Sequence, residues 1–274
     1  MPTMRIGARA HDYGKLAPEA LAQTLRAAGF DAVQLALPKA IAGIESYRAV
    51  TPAQLAETRA AFEKNDIEIT VLGCYQDISS PDGEARAAAV ENIRCSLGHA
   101  KLLGAKMVGS ETAYPRLDGE EKARRRPLMT DSVLRIVETA ARLDVVFAVE
   151  PVRYYPLDTA KAAAELFAAV GDAAHLKMIF DPSNVLNAAD IPRQTALWQE
   201  WLERTGPQIA TLHIKDVAAD AAGQCVQVPL GAGELDYTLI KKWHHDHAPG
   251  MTMLRDEVLV EYAAADIAYI RAME

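Results

Sequence analysis

The chain of 274 residues is short of cysteine, and its three, Cys74, Cys95 and Cys225, are far apart. None forms a CxxC pair, so neither a disulfide framework nor a thiolate zinc site is indicated, and reduced thiols are expected. No run approaches the ~20 apolar residues of a membrane span. The N-terminus "MPTMRIGARA" lacks the apolar segment of a secretory signal, so a cytoplasmic location is expected. Basic runs are nearly absent. Arg124-Arg125-Arg126 is the exception, it reads as a solvated helix face, and the net charge is -8, which argues against a nucleic-acid partner. No Gly-rich phosphate turn follows the first strand: "GARAHDYG" is not GxGxxG. Linkers, low-complexity tracts and composition shifts are also missing, which predicts one domain over residues 1–274.

What is present is alternation. β-like runs at Met4–Ala8, Asp31–Leu37, Ile67–Gly73, Ala105–Glu111, Val145–Glu150, Leu176–Asp181, Ile209–Asp216 and Glu257–Tyr262 are separated by longer amphipathic stretches. Helix signals punctuate those stretches: Thr51 is an N-cap followed by Pro52, and Gly29, Gly104 and Gly171 close helices. The predicted helices are Pro18–Gly29, one from Pro52, Glu84–Leu103, Gly119–Leu143, Leu157–Val170, Pro192–Thr205, Asp236–His247 and Ala263–Met273. Strict alternation requires parallel pairing, and eight units in this length predict a (β/α)8 TIM barrel, with a doubly wound open sheet as runner-up.

Chemistry in such a barrel sits at the C-terminal ends of the strands. The ends of the last four predicted strands carry Glu150, Asp181, His213 and Glu261. Three carboxylates brought together would repel one another strongly in a low-dielectric mouth, and a bound dication removes that penalty. The set suits one divalent ion, Mn²⁺ first, with Mg²⁺ or Co²⁺ as alternatives. Further pocket candidates near strand ends are His11, Glu111, Arg153, Tyr155, Asn184 and Lys215, taken as substrate-binding; for Lys215 an ion pair with Asp216 is the competing reading. "HHDH" at His244–His247 reads as a solvated helix end and "PLGAGELDY" as a turn before a helix.

The segments "FAVEPV", "IFDPSN", "LHIKD", "VPLGAGELDY" and "LVEY" resemble the sugar phosphate isomerase/epimerase family with the xylose isomerase-like TIM barrel. The resemblance covers nearly the whole chain and is specific in its second half. It implies one Mn²⁺ or Mg²⁺ held by Glu150, Asp181, His213 and Glu261, with Glu150 and Glu261 also acting as acid and base on opposite faces of a sugar. Three positions depart from the family's ketose 3-epimerases: Asn184 replaces a His, Pro156 replaces a Glu, and Lys215 stands where an Arg is usual.

A cation between two carboxylates suits removal of a proton next to a carbonyl through a metal-stabilised enediolate. The expectation is therefore a metal-dependent sugar isomerase or epimerase of carbohydrate metabolism, its partner a small sugar or sugar derivative. A lyase or dehydratase acting on a keto-sugar, keto-glycoside or inosose is the alternative. A multi-metal phosphodiesterase ranks low, because His213 is the sole histidine on the last four strands. A non-enzymatic sugar-binding barrel remains if no metal site forms. The missing phosphate loop favours a free sugar or glycoside. Both a monomer and a homo-oligomer stay open.

Overall fold

The computed structural model describes residues 4–273. Eight parallel strands close into a barrel: β1 (Ile6–Arg9), β2 (Ala32–Leu35), β3 (Glu68–Gly73), β4 (Met107–Ser110), β5 (Val146–Val149), β6 (Leu176–Phe180), β7 (Ile209–Ile214) and β10 (Met253–Arg255). Two further strands, β8 (Asp216–Ala219) and β9 (Cys225–Val228), form an antiparallel hairpin standing on the end of β7. The helices that return the chain are α1 (Pro18–Ala27), α3 (Pro52–Lys64), α4 (Gly83–Leu103), α5 (Gly119–Leu143), α6 (Ala160–Val170), α7 (Gln194–Thr205), α8 (Thr238–His247) and α9 (Ala263–Arg271); α2 (Leu37–Ala40) is a single turn after β2.

Local chemistry sets these boundaries. Thr51 and Gln54 make a reciprocal capping box at α3, with Pro52 just inside. Asp82, Asp118 and Thr159 accept backbone N–H bonds at the starts of α4, α5 and α6. Gly104 and Gly171 end α4 and α6 in the left-handed conformation, at φ of 71° and 69°.

Side chains alternate along each strand. Inside the barrel Ala32, Val71, Met107, Ala148, Ile179 and Leu254 form one small buried cluster, and the opposite strand faces join the larger core under the helices. Two residues beyond the interior layer, the same alternation brings Gln34, Glu150, Asp181 and Asp256 to the barrel mouth. The register of β7 against β6 and β10 brings His213 and Lys215 to that same side.

The predicted eighth strand is displaced. The chain crosses the sheet at Met253–Arg255, and the "VLVEY" run follows it as a connection ending in a 3-10 turn, Val260–Tyr262. The true strand is three residues long and ends in Arg255, which is fully buried and paired with Asp266 of α9 at 2.6 Å. An arginine in so short a run reads as loop, whereas "VLVEY" has the β-branched alternation of a strand.

The "PLGAGELDY" loop wraps a carboxylate. Asp216 accepts backbone N–H bonds from Gly231, Gly233 and Leu235 at 3.0–3.3 Å. A Cβ on Gly233 would lie 2.1 Å from Asp216 Oδ1 and 2.7 Å from the Val217 carbonyl. Gly233→Ala is therefore expected to cost about 1–3 kcal/mol through overpacking. Thermal unfolding should show a Tm several degrees lower; an unchanged Tm would mean that the loop does not need this close approach.

Candidate active site at the barrel mouth

A cavity of about 360 Å³ opens at the C-terminal ends of the strands, within the range for small-ligand pockets. Glu150 lines it and belongs with Asp181 and His213 to a buried group in which each residue offers one donor atom and these atoms lie within 4.8 Å of one another. Neighbours fix two of the three. Asn184 Nδ2 donates to Glu150 Oε1 at 2.8 Å, and the Tyr75 hydroxyl stands 3.5 Å from Oε2. Asp181 Oδ1 accepts from the Ser183 backbone N at 2.8 Å and from its hydroxyl at 2.6 Å. That leaves Asp181 Oδ2 without a well-aligned donor, although Lys215 Nζ is 3.2 Å away.

His213 supplies the test of fit. Its imidazole is 1 % exposed, both ring nitrogens lack a hydrogen-bond partner, and Nδ1 lies 3.4 Å from Glu150 Oε1. Buried polar atoms are nearly always partnered, so an imidazole beside two carboxylates with neither nitrogen hydrogen-bonded fits the role of a metal ligand. Burial works against a charged imidazole, yet the Glu150, Asp256 and Asp181 charges outweigh it and raise His213 to about 9. Two carboxylate oxygens and an imidazole nitrogen match the donor preference of Mn²⁺, Mg²⁺ and related divalent ions.

Glu261 does not join this group. It lies exposed on the 3-10 turn that leads into α9, six residues beyond the end of the eighth barrel strand at Arg255. Its expected roles as metal ligand and as acid or base are therefore withdrawn. The residues at that strand end are Asp256 and Glu257. Asp256 is buried but turned to cations, with Lys215 Nζ at 3.2 Å and Arg9 Nη1 at 3.4 Å. Burial disfavours its charge, but Lys215, His213 and Arg9 hold the carboxyl well below its usual range. Glu257 has a φ of 53°, a strained left-handed conformation for a residue with a side chain, and it lines the cavity.

The six substrate-binding candidates all reach the mouth: His11, Glu111, Arg153, Tyr155, Asn184 and Lys215 line the cavity. Lys215 pairs with Asp181 and Asp256, not with Asp216, whose carboxylate is committed to the loop amides. His11 is drawn down to about 4, by burial first and then by Arg9, so its imidazole is neutral at ordinary pH. Tyr75, which follows the third strand and was open to a pocket role from the sequence, lines the cavity, whereas sequence reasoning passed over Arg9 and Asp256. Arg9 carried a signal, since it stands two residues after Gly7 on a strand whose alternation is legible. Asp256 carried none, because its strand was misplaced. "HHDH" is also less solvated than expected: His244 is buried, its Nε2 lying 3.1 Å from the Met251 carbonyl.

The family model described as xylose isomerase-like TIM barrel matches residues 22–272. The chain belongs to that family. Among solved structures it is similar to a D-tagatose 3-epimerase-like protein, with 15% identity, a TM-score of 0.77, and 98% of this chain and 97% of that one covered. It is similar to a xylose isomerase-like TIM barrel protein from Mycobacterium smegmatis in complex with magnesium, with 16% identity, a TM-score of 0.76, and coverage of 100% and 98%. It is also similar to the 3-keto-D-glucoside 4-epimerase YcjR from E. coli, with 18% identity, a TM-score of 0.75, and coverage of 98% and 100%. At these identities the likeness shows the fold. A search of curated protein sequences finds no match.

Glu111 titrates outside its ordinary range. Burial first, then the Glu150 and Asp256 charges, push its carboxyl up to about 8. An unfolded Glu titrates near ~4.3, so between that value and about 8 the folded chain holds the extra proton. Stability then falls as pH rises through this window. Urea denaturation of the metal-free protein should show the wild type losing a few kcal/mol relative to Glu111→Gln across the window. Parallel pH curves for the two proteins would contradict the assignment.

Proposed function

We propose that this protein is a divalent-metal-dependent isomerase or epimerase acting on a sugar or sugar derivative by proton transfer at a carbon next to a carbonyl. The observation that carries this reading is the convergence of Glu150, Asp181 and a His213 imidazole without hydrogen-bond partners at the mouth of a barrel of this family. These three residues would hold the ion, with Mn²⁺ the first choice and Mg²⁺ or Co²⁺ as alternatives. When bound, the ion would supply Lewis acidity towards substrate oxygens and neutralise the two carboxylates.

The chain's own groups supply the rest. Glu111, pushed up to about 8, exchanges its proton near neutral pH, as a general acid or base requires. Glu150 is the second carboxylate for that work. Its Oε1 is fixed by Asn184, which leaves Oε2 beside the Tyr75 hydroxyl to face the cavity. The Lys215 ammonium is buried, with its charge sustained by Asp181 and Asp256, and can donate to an oxygen on the substrate. Proton return to the opposite face of the same carbon gives epimerisation, and return to the neighbouring carbon gives isomerisation. Loss of a β-leaving group would make the enzyme a lyase or dehydratase on a keto-sugar, keto-glycoside or inosose, and product mass separates that outcome from the others.

The test is solvent-deuterium uptake into a panel of ketoses and keto-glycosides with added Mn²⁺. Wild-type protein should incorporate deuterium into at least one of them. Glu150→Gln and Glu111→Gln should each lower the rate by about 100-fold or more, while Glu261→Gln should leave it unchanged. Retained exchange in Glu150→Gln, or loss in Glu261→Gln, would overturn the assignment.

A further inference from the structure

The charge in the cavity is divided. Beside the acids, the same lining carries cations that form no ion pair among the described residues. Most lysines and arginines elsewhere in the described structure are paired with a carboxylate; Arg116, Arg153 and Lys39, which line this cavity, have no carboxylate within 4.0 Å among the described residues. Two of them share one support. The Arg116 guanidinium carbon lies 4.0 Å from the centre of the Tyr154 ring and that of Arg153 4.1 Å from the same centre. Arg153 also donates to the Tyr154 hydroxyl, and its backbone is held by the Asn184 carbonyl, which accepts from Arg153 N at 2.9 Å.

Two guanidiniums on one tyrosine repel each other, and among the described residues no carboxylate pairs with either within 4.0 Å; Asp190 acts on Arg153 only from farther away. Burial and the Arg116 charge both bring the Arg153 guanidinium below its ordinary value. In a chain of net charge -8, an uncompensated cationic pair at the mouth is not a consequence of composition. Guanidinium groups offer a planar fork that matches the oxygens of a carboxylate or phosphate. A neutral sugar would leave that fork without a counter-charge.

We propose that Arg116 and Arg153, held on Tyr154, form an anion subsite, and that the substrate is an acidic sugar derivative whose carboxylate or phosphate docks there while its carbonyl end faces Glu150, Asp181 and His213. Lys39 adds positive charge to the same rim. This assignment rests on the α-proton chemistry proposed above and replaces the neutral free sugar or glycoside favoured by the sequence. A phosphate is accommodated here by side chains, so the missing Gly-rich loop does not exclude it.

The experiment uses three probes with one carbon skeleton: D-fructose, D-fructose 6-phosphate and D-fructuronate, neutral, phosphorylated and carboxylated at the sixth carbon. Binding to the Mn²⁺-loaded protein is measured calorimetrically, and deuterium uptake is measured in parallel. One charged probe should bind at least about tenfold more tightly than D-fructose, as charge-assisted bonds require. The preferred probe identifies the anion as phosphate or carboxylate. Arg116→Gln and Arg153→Gln should each remove most of that preference, and Arg153→Lys, which keeps the charge but loses the fork, should retain part of it. D-Fructose, which brings no anion, is the reference against which the preference is read in each variant. Equal binding of the three probes, or a preference that survives both glutamine variants, overturns the subsite. Arginine-dependent binding of a charged probe without deuterium uptake supports the subsite and counts against the α-proton reading. Uptake into D-fructose with no preference for a charged probe does the reverse.

Discussion

Two carboxylates and an imidazole excluded from water, with donor atoms within 4.8 Å of one another, are the constraint on which this mouth is built. Each buried ion loses several kcal/mol of hydration, and the loss is tolerated only where opposite charge replaces the water. The chain supplies some of that charge itself. Lys215 stands between Asp181 and Asp256, and Arg9 reaches Asp12 and Asp256. Among the described residues Glu150 pairs with no lysine or arginine; its ion partner is the His213 imidazole, with Nδ1 3.4 Å from Oε1 and neither ring nitrogen in a well-formed hydrogen bond. That arrangement suits a divalent ion, and it fixes where a substrate carbonyl would have to sit.

The surrounding fold exists to hold those atoms still. Strand alternation sends Glu150, Asp181 and Asp256 inward two residues beyond the apolar plug of Ala148, Ile179 and Leu254. Ser183 and Asn184, in the turn after β6, then fix one oxygen of Asp181 and one of Glu150. The hairpin after β7 is tied down through Asp216 and the loop amides, which positions Val217, Cys225 and Gln227 along the cavity wall. The cationic rim of Arg116 and Arg153 is supported on Tyr154. Acidic base and cationic rim meet in the loop after β5, where Glu150 and Arg153 are three residues apart and both are held by Asn184.

Much of this was legible in the sequence, for identifiable reasons. The first seven barrel strands have clear apolar runs bounded by turn residues, and the helices have caps that obey local rules, as Thr51 and Gly104 do. Glu150 and Asp181 could be found because each closes an apolar run, and His213 because it interrupts one near its end. The eighth strand could not be read, since a buried Arg255–Asp266 pair makes its three residues look like loop, while a real alternation at "VLVEY" lies outside the sheet. Period-2 patterning reports a half-buried extended segment and does not say whether that segment pairs. The hairpin after β7 was missed because its strands are short and partly exposed. The departures from the family's 3-epimerases acquire meaning only in three dimensions: Asn184 is spent on orienting Glu150, and Lys215 on the Asp181–Asp256 pair.

The most direct measurement is a titration of metal-free protein with Mn²⁺, followed by the loss of the free-ion electron paramagnetic resonance signal. The account predicts one tight site per chain, a fall in affinity of 100-fold or more in His213→Ala and in Asp181→Ala, and no change in Glu261→Ala. A wild type that leaves Mn²⁺ free, or a site that survives loss of His213 and vanishes with Glu261, would contradict it.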